Sequence, residues 1–396
     1  MKGILFVIPQ YIGGGAEKVT DFVASTLSAS GEYETWLAYR TATPEALQNA
    51  QKAGYHTLQI PDYGRFDCEA TTRWVADRML LHGIGILVMV AHPLHDIDYI
   101  RRTVPDARII FHFHGAPLWE VAERIEGGRA AAIASGSRSR YWKWYLLKYS
   151  KERLLHVYSR RFSRRYQTIY RSVDKFVTLC DGYRSTVRKI AKADKNDTKI
   201  RVMYNPLDTE ALAPAASTPK QQEVLYVGRL SYSDKRVDRL LRIWSHVEPK
   251  HPDWTLKIVG DGPDRHNLEE LAKSLGLRNV RFTGYCNDPR QHYSTASILC
   301  LTSSTEGWGL VLVEAQASGV VPVAFAVSDG VKEILGNNEF GIAVKPFDEK
   351  AYTRQLDALM SDPERRKAIS LRAIDRCQRY SQTTVGQQWL QLLDNL

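Results

Sequence analysis

Ten short apolar runs punctuate the chain and limit its fold more than any other feature. The first series is ILFVI (4–8), TWLAY (35–39), ILVMV (86–90), RIIFHF (108–113) and KFVTLC (175–180). The second is EVLYVG (223–228), TLKIVG (255–260), VRFTG (280–284), SILCLT (297–302) and VVPVAF (320–325). Runs this short and this apolar read as strands covered on both faces, the situation of a parallel sheet. Parallel strands need crossovers, and helical spacing lies between the runs, as at 234–248, 264–275 and 309–318. Two such series in 396 residues, too many for one ordinary core, predict an α/β chain of two doubly wound Rossmann-like domains facing a central cleft. The expected domains are 1–205 and 206–380, with a linker near 203–222 and a final amphipathic helix over 381–396 that returns to the first domain.

Composition narrows the setting. With 44% hydrophobic and 25% charged residues the chain reads as a soluble globular protein. No apolar run reaches the roughly 18 residues of a membrane span. The opening MKGILFVIPQ has no small-residue cleavage site and reads as a strand rather than a signal peptide. The five cysteines are scattered, without disulfide or zinc spacing, and predict a reducing cytoplasm.

Charge is concentrated. Of the net +10, residues 1–205 carry 31 basic against 20 acidic residues, and residues 129–171 alone carry 12 against the single acid Glu152. In 138–171, Leu155, Tyr158, Phe162, Tyr166 and Ile169 recur at steps of three and four, with Arg153, Arg160, Arg164 and Arg171 opposite. This is either one long helix with a solvated basic face, or a surface for anionic lipid headgroups, to which each cation adds roughly 1 kcal/mol. Interleaved Tyr and Trp suit the second reading, which predicts a peripheral place on the cytoplasmic face of a membrane. No nucleic-acid motif accompanies the charge, so no nucleic-acid partner is expected.

Several strand ends carry chemistry. GGGAEK (13–18) follows the first run and should open a helix, where glycines let backbone N–H groups approach an anion. It is neither a dinucleotide fingerprint nor a P-loop; the plain alternative is a tight turn. In GRLSYSDK (228–235), Arg229 and Lys235 could converge on a diphosphate or stay solvated. HFHG (112–115) reads as a core histidine, His112, beside His114 at the strand end; there are too few ligands for a metal. HDIDYIRR, with its DID at 96–98, reads as a solvated helix rather than a Mg²⁺ site. TSSTEGWGLVLVEAQASG (302–319) is the strongest signal. A polar glycine loop holds Glu306, a helix starts near Gly309, and Glu314 lies inside its apolar run, where a carboxylate needs a hydrogen-bond donor.

Together these motifs resemble the retaining GT-B glycosyltransferases of family 4. The Glu306–x7–Glu314 spacing carries the resemblance, with Arg229, Lys235, GDGP (260–263) and VRFTGY (280–285) beside it. The resemblance spans nearly the whole chain and is densest over 223–345. It implies transfer of a sugar from a nucleotide-diphosphate sugar, UDP favoured over GDP-mannose, to a glycan or lipid-linked acceptor of lipopolysaccharide, capsule or exopolysaccharide synthesis. No cofactor and no metal are implied. Arg229, Lys235 and the Gly309 and Leu310 amides would hold the diphosphate, with Gly14 and Gly15 closing over it. Glu306 and Gly307 would meet the sugar, Glu314 the ribose, Gly284 and Tyr285 the base, and His114 the reacting centre. Departures are SDGVKEIL (328–335), where the family often has GGxPE, and Trp308 in place of a common phenylalanine. A nucleotide-sugar epimerase shares the architecture without this glutamate and Arg–Lys set; a basic nucleic-acid binder is the reading from another class.

Overall fold

The computed structural model describes residues 1–12, 14–134 and 136–396. Seven parallel strands form the first sheet: β1 (Lys2–Tyr11), β2 (Tyr33–Ala42), β3 (His56–Gln59), β4 (Ile84–Val90), β5 (Arg108–His112), β6 (Lys175–Thr178) and β7 (Ile200–Val202). Their spatial order is β3-β2-β1-β4-β5-β6-β7. Six form the second: β8 (Glu223–Val227), β9 (Thr255–Val259), β10 (Val280–Gly284), β11 (Ile298–Leu301), β12 (Val321–Phe325) and β13 (Ile342–Val344). Their order is β10-β9-β8-β11-β12-β13, again all parallel. Helices cross between the strands, which is why both faces of β1, β4, β8, β11 and β12 are apolar and buried. All ten predicted runs are strands. β3, β7 and β13 had no expectation; each is three or four residues long and lies at a sheet edge, where burial imposes no apolar run.

By its contacts the chain divides into two units: residues 1–117, 160–206 and 382–396, and residues 118–159 with 207–381. This differs from a first domain holding all of 1–205, because residues 118–159 group with the second unit. Those residues pack locally: the Trp144 indole N–H donates to the Ile125 carbonyl at 3.0 Å.

The basic segment is not one long helix. Helix Arg138–Trp144 runs through a π turn, Tyr145–Tyr149, into helix Ser150–Leu155. His156 is left-handed (φ 49°) and turns the chain before helix Val157–Ser172. The expected apolar stripe is therefore split: Tyr166 and Ile169 are buried, but Leu155, on the far side of the break, is 55% exposed.

In the first unit, helix Gln382–Asp394 packs on helix Gly15–Ala29, and fully buried Trp389 meets the His112 ring edge-on at 5.0 Å. In the second, the glycines of GDGP bring two loops into contact. A Cβ on Gly260 (φ 139°) would sit 1.9 Å from the Gly228 carbonyl oxygen, and one on Gly262 2.3 Å from that of Leu230. Leu230 N–H donates to the Asp261 carbonyl at 2.9 Å, so this motif braces the loop that carries Arg229.

Candidate active site

Within the second unit the chain steps from β8 out to β9 and β10, then returns to lay β11 on the other side of β8. At such a reversal the loops leaving the two central strands part and leave a crevice at their carboxyl ends. The loop after β8 carries Arg229 and Lys235; the loop after β11 carries Glu306, Gly307 and Gly309. Ser304 N–H donates to the Asp234 carbonyl at 2.7 Å and the Thr302 hydroxyl to the Arg236 carbonyl at 3.0 Å. Lys235 Nζ donates to Glu306 Oε2 at 2.9 Å, the two side chains being 23% and 13% exposed.

The surroundings of Lys235 favour its charged form. Burial pulls the Lys235 pKa down, but Glu306 and then Asp234 outweigh it, and the net shift is upward. Asp234 is pushed up by burial yet ends below its usual range, held there by the Ser231 hydroxyl, Lys235 and Arg229. Arg229 lies at the rim, 63% exposed, with Nη2 3.0 Å from Asp234 Oδ2. Both expected cations therefore stand beside carboxylates. Each cation is thereby held in place at the crevice.

Gly309, left-handed at φ 93°, turns the chain into helix Leu310–Ala317. The Leu310 and Val311 amides at its start point out of the helix at the positive end of its dipole, while Leu312 N–H turns back to the Gly309 carbonyl at 2.9 Å. One turn further on, Glu314 has the donor its apolar surroundings require: the hydroxyl of fully buried Tyr293 reaches Glu314 Oε2 at 2.6 Å. Glu306 and Glu314 thus have separate partners and do not form an acid/base couple. Gly284 (φ 83°) ends β10 and accepts the Gly260 N–H at 2.8 Å, which ties it to the same braced rim; Tyr285 beside it is 75% exposed. In SDGVKEIL the Ser328 hydroxyl caps helix Asp329–Leu335, and Lys332 pairs with Asp329 at 3.1 Å.

The first unit holds the remaining candidates except Arg153, which belongs to the second. Gly14 stands at the N-cap of helix Gly15–Ala29, and its N–H donates to the Glu17 carboxylate, which folds back over the helix start. Gly13 lies outside the described residues. His114 Nε2 and His112 Nδ1 are 3.1 Å apart. Burial drives the His114 pKa down to about 4, with Asn205 opposing, and burial and then His114 drive His112 well below the usual range. Both rings are neutral at pH 7, so His114 acts there as a hydrogen-bonding group rather than a charge. Asp96 caps helix Ile97–Thr103, accepting from Tyr99 N–H at 3.0 Å. Arg153, Arg160, Arg164 and Arg171 are exposed. Among the described residues no group of three His, Cys, Asp or Glu could hold a metal ion, and no helix is long and apolar enough to cross a membrane.

Sequence reasoning missed three groups: Asp234, Tyr293 and Glu17. Asp234 and Glu17 had a local signal, an acid beside or within a candidate anion loop. Tyr293 had none, because it reaches Glu314 from the helix before β11.

Residues 209–376 match the family described as Glycosyl transferases group 1. An uncharacterized glycosyltransferase of Haemophilus influenzae is 33% identical over 56% of this chain and 60% of its own length. A Campylobacter jejuni enzyme, named as an α-1,4-N-acetyl-D-galactosaminyltransferase acting on a diphospho-undecaprenol-linked glycan, is 28% identical over 49% of this chain and 54% of its own. The chain thus spans a little over half the length of these relatives. In fold it is similar to Anabaena Alr3699/HepE, solved with UDP and glucose, at a TM-score of 0.74 and 16% identity over the full length of both chains. Residues 209–376 thus match the glycosyl transferases group 1 family, and the two parallel-sheet units have the GT-B fold.

Proposed function

We propose that this chain transfers a sugar, with retention of anomeric configuration, from a UDP-sugar to a lipid-linked glycan acceptor at a membrane surface. The observation that carries the proposal is the ionic Lys235–Glu306 pair at the β8–β11 reversal, with Arg229 and the Leu310 helix end beside it. Lys235, Arg229 and the helix amides take the diphosphate and the charge that develops on the leaving group, Glu306 a sugar hydroxyl, and Glu314 the ribose. Because these groups supply the positive charge, no metal is needed. Neutral His114 offers the sugar a hydrogen bond. The UDP and glucose of the Anabaena neighbour favour the donor, and the undecaprenol-linked substrate in the Campylobacter relative's name favours the acceptor. Arg153, Arg160, Arg164 and Arg171 supply attraction to an anionic leaflet.

A thermal-shift series with UDP-, GDP- and ADP-sugars tests the donor, since a ligand bound only by the folded state raises Tm. Stabilisation by UDP-sugars alone is expected; a response to GDP- or ADP-sugars only would refute that choice. NMR of the transferred anomeric centre tests retention, and activity that survives EDTA tests metal independence.

A further inference from the structure

Of the fifteen large apolar side chains exposed among the described residues, seven lie between Trp142 and Val157, so exposure here is a local feature and not a general property of the surface. Leu154 is 77% exposed and Leu155 55%, and they flank the left-handed turn at His156 together with Val157 at 44%. Leu146, Leu147 and Trp142 add apolar surface along the helical run that leads into this corner. Lys143, Lys148, Lys151 and Arg153 are interleaved with them.

The one acid of the segment does not face outward. Glu152 Oε2 accepts the Tyr158 N–H at 2.7 Å and the Ser159 N–H at 3.4 Å, capping the start of helix Val157–Ser172. Residues 138–171 therefore offer apolar tips and cations there, with no outward carboxylate of their own. Water does not favour such a surface, and a second copy would bring the same positive charge against it. An anionic bilayer satisfies both halves: acyl chains take the leucines, phosphates take the lysines, and Trp and Tyr suit the boundary.

We infer that the corner around His156 is a membrane-insertion wedge, with Leu154, Leu155 and Val157 entering the acyl region and Lys148, Lys151 and Arg153 held at the phosphates. The arginine face of helix Val157–Ser172 then attracts the leaflet, while the corner anchors in it. Such a wedge is of use only where the acceptor is held in a bilayer, so it rests on the proposed lipid-linked acceptor.

The test uses the full chain and vesicles of phosphatidylcholine with or without phosphatidylglycerol. Flotation is compared for wild type, Leu154→Asp/Leu155→Asp and Arg160→Glu/Arg164→Glu. The leucine variant is expected to lose about tenfold in partitioning to anionic vesicles, with unchanged Tm, because both side chains already face solvent. Wild-type binding should survive high salt in part. If the leucine variant floats like wild type, or if salt removes all binding, the surface is electrostatic only and the wedge is overturned. If wild type ignores anionic vesicles, or if it self-associates and the leucine variant does not, the wedge is likewise overturned. Transfer to a soluble acceptor analogue, measured in parallel, reports on the glycosyl-transfer reading independently of any of these results.

Discussion

Replacing Lys235 by Met separates the two roles its ammonium combines. The first is internal: Nζ lies 2.9 Å from Glu306 Oε2, with the side chains 23% and 13% exposed. Breaking a fully buried pair costs about 3–5 kcal/mol and breaking an exposed one less than about 1 kcal/mol. This pair lies between those limits, so Lys235→Met should lose about 2 kcal/mol of stability. Adding Glu306→Gln removes the orphaned charge and should return most of it. The second role is toward the donor. A fixed charge contact to a leaving diphosphate is worth about 3 kcal/mol, or about two orders of magnitude in kcat/KM. Glu306→Gln cannot return that, because nothing replaces the cation. The measurement is a double-mutant cycle over Lys235→Met, Glu306→Gln and the pair, read in parallel by urea denaturation and by donor turnover. Stability should recover in the double variant while kcat/KM stays low. Recovery of kcat/KM in the double variant would mean that Lys235 serves only to neutralise Glu306, and the diphosphate assignment would fall.

Three further outcomes are expected. Tyr293→Phe removes the 2.6 Å donor to Glu314, a bond to a charged group worth about 1.5–3 kcal/mol, so the donor KM should rise about tenfold with kcat within about twofold; a fall in kcat at constant KM would contradict a ribose role for Glu314. His114 is held at about 4 when folded against an ordinary 6.5, so the unfolded chain binds a proton that the folded chain refuses between those values. Stability is therefore full above pH 6.5 and falls as pH drops toward 4, by up to about 3 kcal/mol from this group; urea midpoints should follow that limb, and His112→Asn/His114→Asn should flatten it. Gly260→Ala drives a Cβ to 1.9 Å from the Gly228 oxygen at a positive φ, and should destabilise the second unit by about 3 kcal/mol or more in urea unfolding.

Much of this was legible because buried parallel strands write themselves as apolar runs. All ten runs became strands, whereas β3, β7 and β13 left no trace, since an edge strand of three or four residues packs too little to need one. The loop residues were legible as types at strand ends, but their pairings were not. Lys235 and Glu306 are 71 residues apart, and only the β8–β11 adjacency brings them within 2.9 Å. Tyr293 was invisible for the same reason: its partner is fixed by packing, not by spacing. The helical stripe over 138–171 misled because periodicity cannot register a single left-handed residue, and His156 is not glycine, the usual warning of one. Likewise GDGP read as part of a ligand motif, while in the structure its glycines first serve contact between two backbones.

The return of residues 382–396 to the first unit has a consequence for biosynthesis. Trp389 covers His112, and Gly386 lies where a Cβ would be 3.1 Å from Thr26. Both contacts join residues 382–396 to much earlier elements of the first unit. A ribosome delivers residues 207–381 before the segment that finishes the first unit, so that unit spends the translation of more than a hundred residues with part of its core uncovered. Although begun before the second unit, it closes only after residues 382–396 have emerged. A tag or truncation that disturbs Trp389 would then reach the histidine pair, far away in sequence, through folding rather than through chemistry.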